Sequence, residues 1–318
     1  MMKKLVSLVL ALMLCLSCVS ALAAEAWTVT CPWAPSGVAA MVNQKAASLS
    51  TTYSQDYVLV ANAEKGDTAT INSWLTKYTE ADPQMCFIGE GMFGITAILD
   101  PERMNFTYDD FKYVENLYSS IFVASARKEL GLTSIDALKA YLEEGNQIMV
   151  GTNGATGSEA FLAAALIGAM GYGDQFYLIP YESAAEAAQA VARGEVDIAV
   201  SHQSQILETW QQGGVDVFAA FDGEPIAQGP FKGVEGVGQY GYPYFRNRCF
   251  IFAKAGADEQ KIADLKALYA QILTDEEMVD WLNNTMLLEA DMMTEEEVIA
   301  HIDNVKNIVE EYYDLVAE

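Results

Sequence analysis

Short apolar runs alternate with segments of helical periodicity through most of this chain. Apolar strands are expected at 27–33, 56–61 and 85–89, with helices at 39–49 and 69–78 between them and a further helix after the third strand. A mostly apolar, aromatic stretch at 111–126 breaks the rhythm and is expected to carry the chain as strand from one domain to the next. A second set follows. Its helices are expected at 133–144, 159–170 and 183–193, and its strands at 147–150, 176–180, 196–201 and 215–221. The Gly-, Pro- and aromatic-rich segment 222–244 is expected as loop, and 245–253 as a strand crossing back.

The tail is expected to be helical. Thr274 with Glu277, and Thr294 with Glu297, have the spacing of capping boxes. Val298, Ile302, Val305, Val309 and Tyr312 form one apolar face, expected to pack back on the first domain. Alternation of strand and helix implies α/β architecture with mainly parallel sheets covered on both faces. At 318 residues the chain is long enough for two such domains.

The first residues follow another pattern. Lys3 and Lys4 precede an uncharged stretch from 5 to 24, and Ala21-Leu22-Ala23 fits a signal-peptidase site. Residues 1–23 are expected to be a secretory signal. A retained membrane anchor, or lipidation at Cys18, is the alternative, although Cys15-Leu16-Ser17 matches a lipobox poorly. Without Lys3 and Lys4, 16 basic residues face 44 acidic ones, a formal charge of −28. Nothing basic clusters, so nucleic acid and anionic membrane surfaces are poor partners. Cys31, Cys86 and Cys249 match no metal or redox spacing. A Cys31–Cys86 bridge is open, and small buried thiols are the simpler reading.

Candidate chemistry lies in loops after strands. Gly151-Thr152-Asn153-Gly154-Ala155-Thr156-Gly157-Ser158 links an apolar run to a helix, so backbone N–H groups at a positive helix end could cup an anion; an ordinary flexible turn is the alternative. It lacks the Lys of a P-loop and the spacing of a dinucleotide site. Segments 32–39 and 63–68 also follow strands, and the three loops could face one cleft, since ligands in open α/β sheets sit at the carboxyl ends of strands. His202 ends a strand and is a ligand contact, a turn residue or, in an enzyme reading, a base. His301 is expected to be structural. No nucleophile elbow, metal-binding pair or acid/base pair accompanies them, so no enzyme, cofactor or metal is expected. Arg246 and Arg248 share one face of a strand, suited either to a carboxylate or to surface salt bridges. Trp33 and Tyr181 could wall a pocket or pack in a core.

The run Thr28-Val29-Thr30-Cys31-Pro32-Trp33-Ala34-Pro35-Ser36-Gly37 and the 151–158 loop together resemble the tripartite tricarboxylate transporter receptors, the Bug or TctC-like periplasmic solute-binding proteins. Ile179-Pro180-Tyr181-Glu182-Ser183, Arg193-Gly194-Glu195-Val196-Asp197 and Phe252-Ala253-Lys254-Ala255-Gly256 are similar to further family segments, in family order. The resemblance implies a type II Venus-flytrap fold with a lobe of 24–122 plus 252–318 and a second lobe of 123–251. It implies a small organic acid as ligand, a di- or tricarboxylate or a relative, delivered to integral-membrane permease subunits. The protein would act as a monomer in the periplasm or at the cell surface. A binding protein for an aromatic or non-carboxylate solute is the alternative.

By motif the ligand-binding residues would be Trp33, Ala34, Ser36, Gly37, Gly66, Asp67 and Thr68 in the first lobe. In the second they would be Thr152, Asn153, Thr156, Gly157, Ser158 and Tyr181. His202, Arg246 and Arg248 are added from the residues themselves. Three departures stand out. Ala40 falls where the family has an Asp able to receive a ligand amine, which weakens the case for an amino acid. Lys65-Gly66-Asp67-Thr68 is bulkier than the family's small loop, and Asp67 could simply cap the next helix. Arg248 stands where an aromatic is common.

Overall fold

Successive side chains of a strand point to opposite faces, and in this chain both faces are apolar. Met85 and Phe87 enter one core cluster while Cys86 and Ile88 enter another. A strand buried on both faces must be covered by helices on both. The computed structural model describes residues 24–316; the expected signal segment 1–23, with Cys18, lies outside the described residues.

The first sheet begins with β1 (Glu25–Cys31), β2 (Tyr57–Ala63) and β3 (Gln84–Gly89), which are parallel. They are joined through α1 (Val38–Tyr53) and α2 (Thr68–Lys77). A π-helical turn, Met92–Thr96, follows β3. β4 (Phe111–Ser120) ends this sheet and β5 (Phe122–Arg127) opens the second, so a single residue, Ile121, separates strands of different lobes. The second lobe continues with α3 (Ile135–Glu143), β6 (Ile148–Asn153), α4 (Ser158–Ala169), β7 (Phe176–Tyr181), α5 (Ala184–Ala192), β8 (Ile198–His202), α6 (Gln203–Gln211) and β9 (Val215–Ala220). The chain then returns to β10 (Asn247–Lys254).

The sheet orders are β2-β1-β3-β10-β4 and β7-β6-β8-β5-β9. The two lobes repeat one topology. Each has a parallel set and one antiparallel strand in its fourth place, supplied by the strand that enters from the other lobe. β10 lies wholly in the first sheet, so the return crossing precedes Asn247 and is loop; the expected division after residue 251 cuts this strand.

The tail holds α7 (Glu259–Leu273), α8 (Glu276–Trp281), α9 (Glu295–Glu311) and the short α10 (Tyr313–Val316). Thr294 and Glu297 form the expected capping box. Thr274 does not form one. It closes α7, its hydroxyl donating to Ala270 O at 2.8 Å, and Asp275 caps α8 instead. The expected packing of α9 on the first domain holds for only half the helix. Val298 and Ile302 join the aromatic cluster of Phe93, Phe250 and Phe252, whereas Val305 and Val309 join the second lobe's core with Leu162 and Leu166. Close approach here requires Gly94, where an added Cβ would lie 2.5 Å from Val305 Cγ1.

Among the described residues Cys31, Cys86 and Cys249 are free and buried. β1 pairs with β3 so that Thr30 faces Cys86, which puts the Cys31 and Cys86 thiols on opposite faces of the sheet and rules out a bridge in this fold.

Candidate functional site

Loops at the carboxyl ends of β1, β2, β3, β6 and β7 converge on one cavity of about 640 Å³ between the lobes. Of the residues expected there, Trp33, Ala34, Gly37, Gly66, Asp67, Asn153, Thr156, Gly157, Ser158, Tyr181 and His202 line it. Ser36 is exposed outside it. Thr68 and Thr152 are buried behind it, and the Thr152 hydroxyl shapes the loop by donating to Gly154 O at 2.7 Å. Trp33 and Tyr181 are walls: their rings cover Gly89 and Gly151, where an added Cβ would come within 3.4 Å and 3.3 Å of them.

Arg246 and Arg248 do not reach the cavity. Arg246 binds Asp222 and Glu289 at 2.8 Å each and borders a separate cavity. Arg248 binds Asp291 at 2.7 Å and His301 Nδ1 at 3.0 Å. Acidic residues remote in sequence thus claim both guanidinium groups, as the salt-bridge alternative holds.

The N-termini of five helices, α1, α2, α4, α5 and α6, border the cavity, and their dipoles are not equally available. α4 starts at Gly157 with no side-chain cap, but Glu159 sits in its first turn, and its Oε2 is 3.5 Å from where a Gly157 Cβ would be. α5 is capped by Ser183, which accepts from Glu186 N. Near α2, the amides of Gly66 and Asp67 both donate to Pro32 O, so they are spent holding two loops together. Asp67 has φ +51° and no capping hydrogen bond, contrary to the capping expectation. α1 starts at Gly37 with neither a side-chain cap nor an acidic residue in its first turn. Its dipole is left uncompensated, as is that of α6, which starts after His202 with no side-chain cap and no acidic residue in its first turn.

The floor is acidic. Glu90, fully buried, accepts from Asn247 Nδ2 at 2.9 Å, Ser158 Oγ at 3.1 Å and Arg248 N at 2.8 Å. Burial raises its pKa, against the opposing pull of these hydrogen bonds. Glu159 is pushed up to about 7, first by burial and further by the Glu90 carboxylate. Among the described residues neither has a salt-bridge partner. His202 is also buried, with Nδ1 2.8 Å from Ser120 Oγ and its ring against Phe122. Burial pushes it down to about 3, so it is neutral at ordinary pH and too weak a base for the enzyme reading.

The rim is charged in pairs. Lys65 and Glu182 meet across the cleft at 2.8 Å. Arg103 reaches Asp67 at 3.4 Å on its own lobe and donates to Thr156 Oγ1 at 3.0 Å on the other. With Ser158–Glu90, these contacts join the lobes in the conformation described. Sequence reading missed Glu90, Arg103, Glu159 and Asn247. Glu90 had a signal, a charge between two glycines directly after an apolar strand. Arg103 lies in a short turn with no periodicity and had none.

No family model matches the chain, and no curated protein matches it in sequence. Solved structures match its fold over nearly its whole length. R. palustris Rpa4515 with adipate has a TM-score of 0.80 at 15% identity, covering 91% of this chain and 96% of that one. MatC from Rhodopseudomonas palustris with bound malate gives 0.75 at 17%, covering 92% and 98%. The periplasmic binding protein BugD gives 0.78 at 16%, with the same coverage as MatC. The fold is therefore that of the Bug and TctC-type binding proteins, with two lobes, as the motifs imply.

Proposed function

We propose that this chain is an extracytoplasmic solute-binding receptor, not an enzyme. It captures a small carboxylate between its lobes and hands it to the permease of a tripartite tricarboxylate-type transporter. The carrying observation is the interlobe cavity, walled by strand-end loops of both lobes and bridged by Lys65–Glu182, Arg103–Thr156 and Ser158–Glu90. Closure of two lobes over a ligand needs such contacts, and it gives a permease two distinguishable shapes to recognise.

The first lobe offers a ligand carboxylate a free place. At the start of α1, Val38 and Ala39 line the cavity and first-turn N–H groups have no intrahelical partner. Fold neighbours solved with malate and adipate support an acid as ligand. Among the described residues no helix is long and apolar enough to cross a membrane, in keeping with a chain that acts outside one.

A thermal-shift screen of the chain freed of bound solute tests this. A ligand that binds only the folded state raises the melting temperature by mass action, about 2.7 kcal/mol of added stability at a hundredfold excess over Kd. Selective shifts by one class of carboxylate are expected. Shifts by neutral or aromatic solutes alone would favour the second reading, since Trp33, Tyr118, Phe122 and Tyr181 line the same cavity.

A further inference from the structure

We infer that the ligand carries a protonated amine as well as a carboxylate, and that the amine is received on the cavity floor by Glu90, Glu159 and the side-chain oxygen of Asn247. This rests on the receptor reading above and narrows it.

The charge inventory disfavours the simplest acid ligands once the floor carboxyls are ionised. Five carboxylates line the cavity, Asp67, Glu90, Asp100, Glu159 and Glu182, against two cations, Lys65 and Arg103. Both cations are engaged at the exposed rim by Glu182, Asp67 and Asp100. Glu90 and Glu159 remain below, 0% and 6% exposed. A dicarboxylate closed into this space adds two charges of the sign already in excess, where water is too scarce to screen their repulsion well. An ammonium group reverses that balance.

A second observation does not depend on the acids. Asn247 lines the cavity, is 7% exposed and has an Oδ1 with no hydrogen-bond partner. Its Nδ2 donates to Glu90, which fixes the amide so that Oδ1 can only accept. Gln205, also in the lining, has an unpartnered Oε1. Buried acceptors without donors are expensive, so a cavity lined by two of them suits a ligand that brings N–H groups. Ammonium supplies three and neutralises charge at once. The floor thus provides what Ala40 does not, from another loop.

Calorimetric titration of the solute-free chain with shape-matched series tests the inference. One series is succinate, γ-aminobutyrate and putrescine; another is adipate, ε-aminocaproate and hexamethylenediamine; the standard amino acids complete the panel. At least one amino acid of either kind is expected to bind about tenfold or more tightly than every diacid, and Glu159→Gln to abolish that preference. Glu90→Gln should do the same, with circular dichroism and melting temperature verifying the fold in each variant. Binding of diacids at equal or greater affinity overturns the inference and leaves the carboxylate receptor standing. Binding of diamines without amino acids keeps the amine site and removes the carboxylate reading. Silence from every amine at about 10 mM, well above receptor affinities, overturns the inference.

Discussion

The rim and the floor of the cleft hold charges of the same kinds in opposite states. At the rim, Lys65 and Glu182 have side chains 54% and 79% exposed and are paired across open solvent. On the floor, Glu90 and Glu159 are buried and face no cation. Exposed pairs gain little because water screens them and two long side chains must be held in place. Buried charges have a large desolvation penalty, which only a partner removes. On the proposed reading, rim contacts help close the lobes without choosing what they close over, and the choice falls to the floor.

The comparison is broken most severely by keeping the lobes from meeting. Gly91 sits where a Cβ would lie 2.7 Å from Ser158 Oγ on the opposite lobe. Gly91→Val should weaken ligand binding about a hundredfold, by titration, while the unliganded melting temperature changes little, because the open state avoids the clash. Removing a floor carboxylate outright comes next. Glu90→Ala strands Asn247 Nδ2, Ser158 Oγ and Arg248 N, and should cost about 2–4 kcal/mol in urea unfolding, whereas Glu90→Gln should recover part of that.

Glu159 gives a pH test. Its pKa rises from 4.5 to about 7 on folding. Between those values the unfolded chain releases the proton and the folded chain keeps it, so the stability contributed by Glu159 falls as pH rises across that window and is gone above it. Glu159→Gln removes this contribution. The variant should match the parent near pH 4 and exceed it in melting temperature by pH 8; Glu90 and Asp67, also raised by burial, leave it a residual slope of the same sign. The smallest effects belong to the rim and to the arginines outside the cavity. Lys65→Ala and Arg248→Ala should each change ligand affinity less than about threefold by titration, although Arg248→Ala should lower stability by freeing Asp291.

Much of the fold was legible because each element carries its own period. Strand 85–89 is apolar at every position, which only a sheet covered on both faces allows, and the regular alternation gave two parallel sets. Periodicity does not name the surface opposite. The apolar stripe of α9 was clear, but that its first half meets one lobe and its second half the other depends on where Gly94 and α4 come to lie. The return crossing was misplaced for a similar reason, since the apolar run to Ala253 reads as one strand whichever sheet receives it.

At the site, the loops were legible as strand ends and the charges were not. Spacing put Arg246 and Arg248 on one side of a strand, but Asp222, Glu289 and Asp291, far along the chain, decide what those groups bind. The 151–158 loop promised an anion cup, and one residue further on Glu159 puts a carboxylate into it. The first lobe has the counterpart, since α1 begins without caps and without acids. A ligand held as proposed, between the uncompensated start of α1 and an acidic floor, would be polarised along its length.

A crystal structure of the chain with its tightest-binding amino acid tests that orientation directly. The account predicts the ligand nitrogen within about 2.7–3.2 Å of Glu90, Glu159 or Asn247 Oδ1, with the carboxylate at the first turn of α1. A ligand lying the other way round, with its carboxylate against Glu90 and Glu159, or bound outside the cleft, would contradict it.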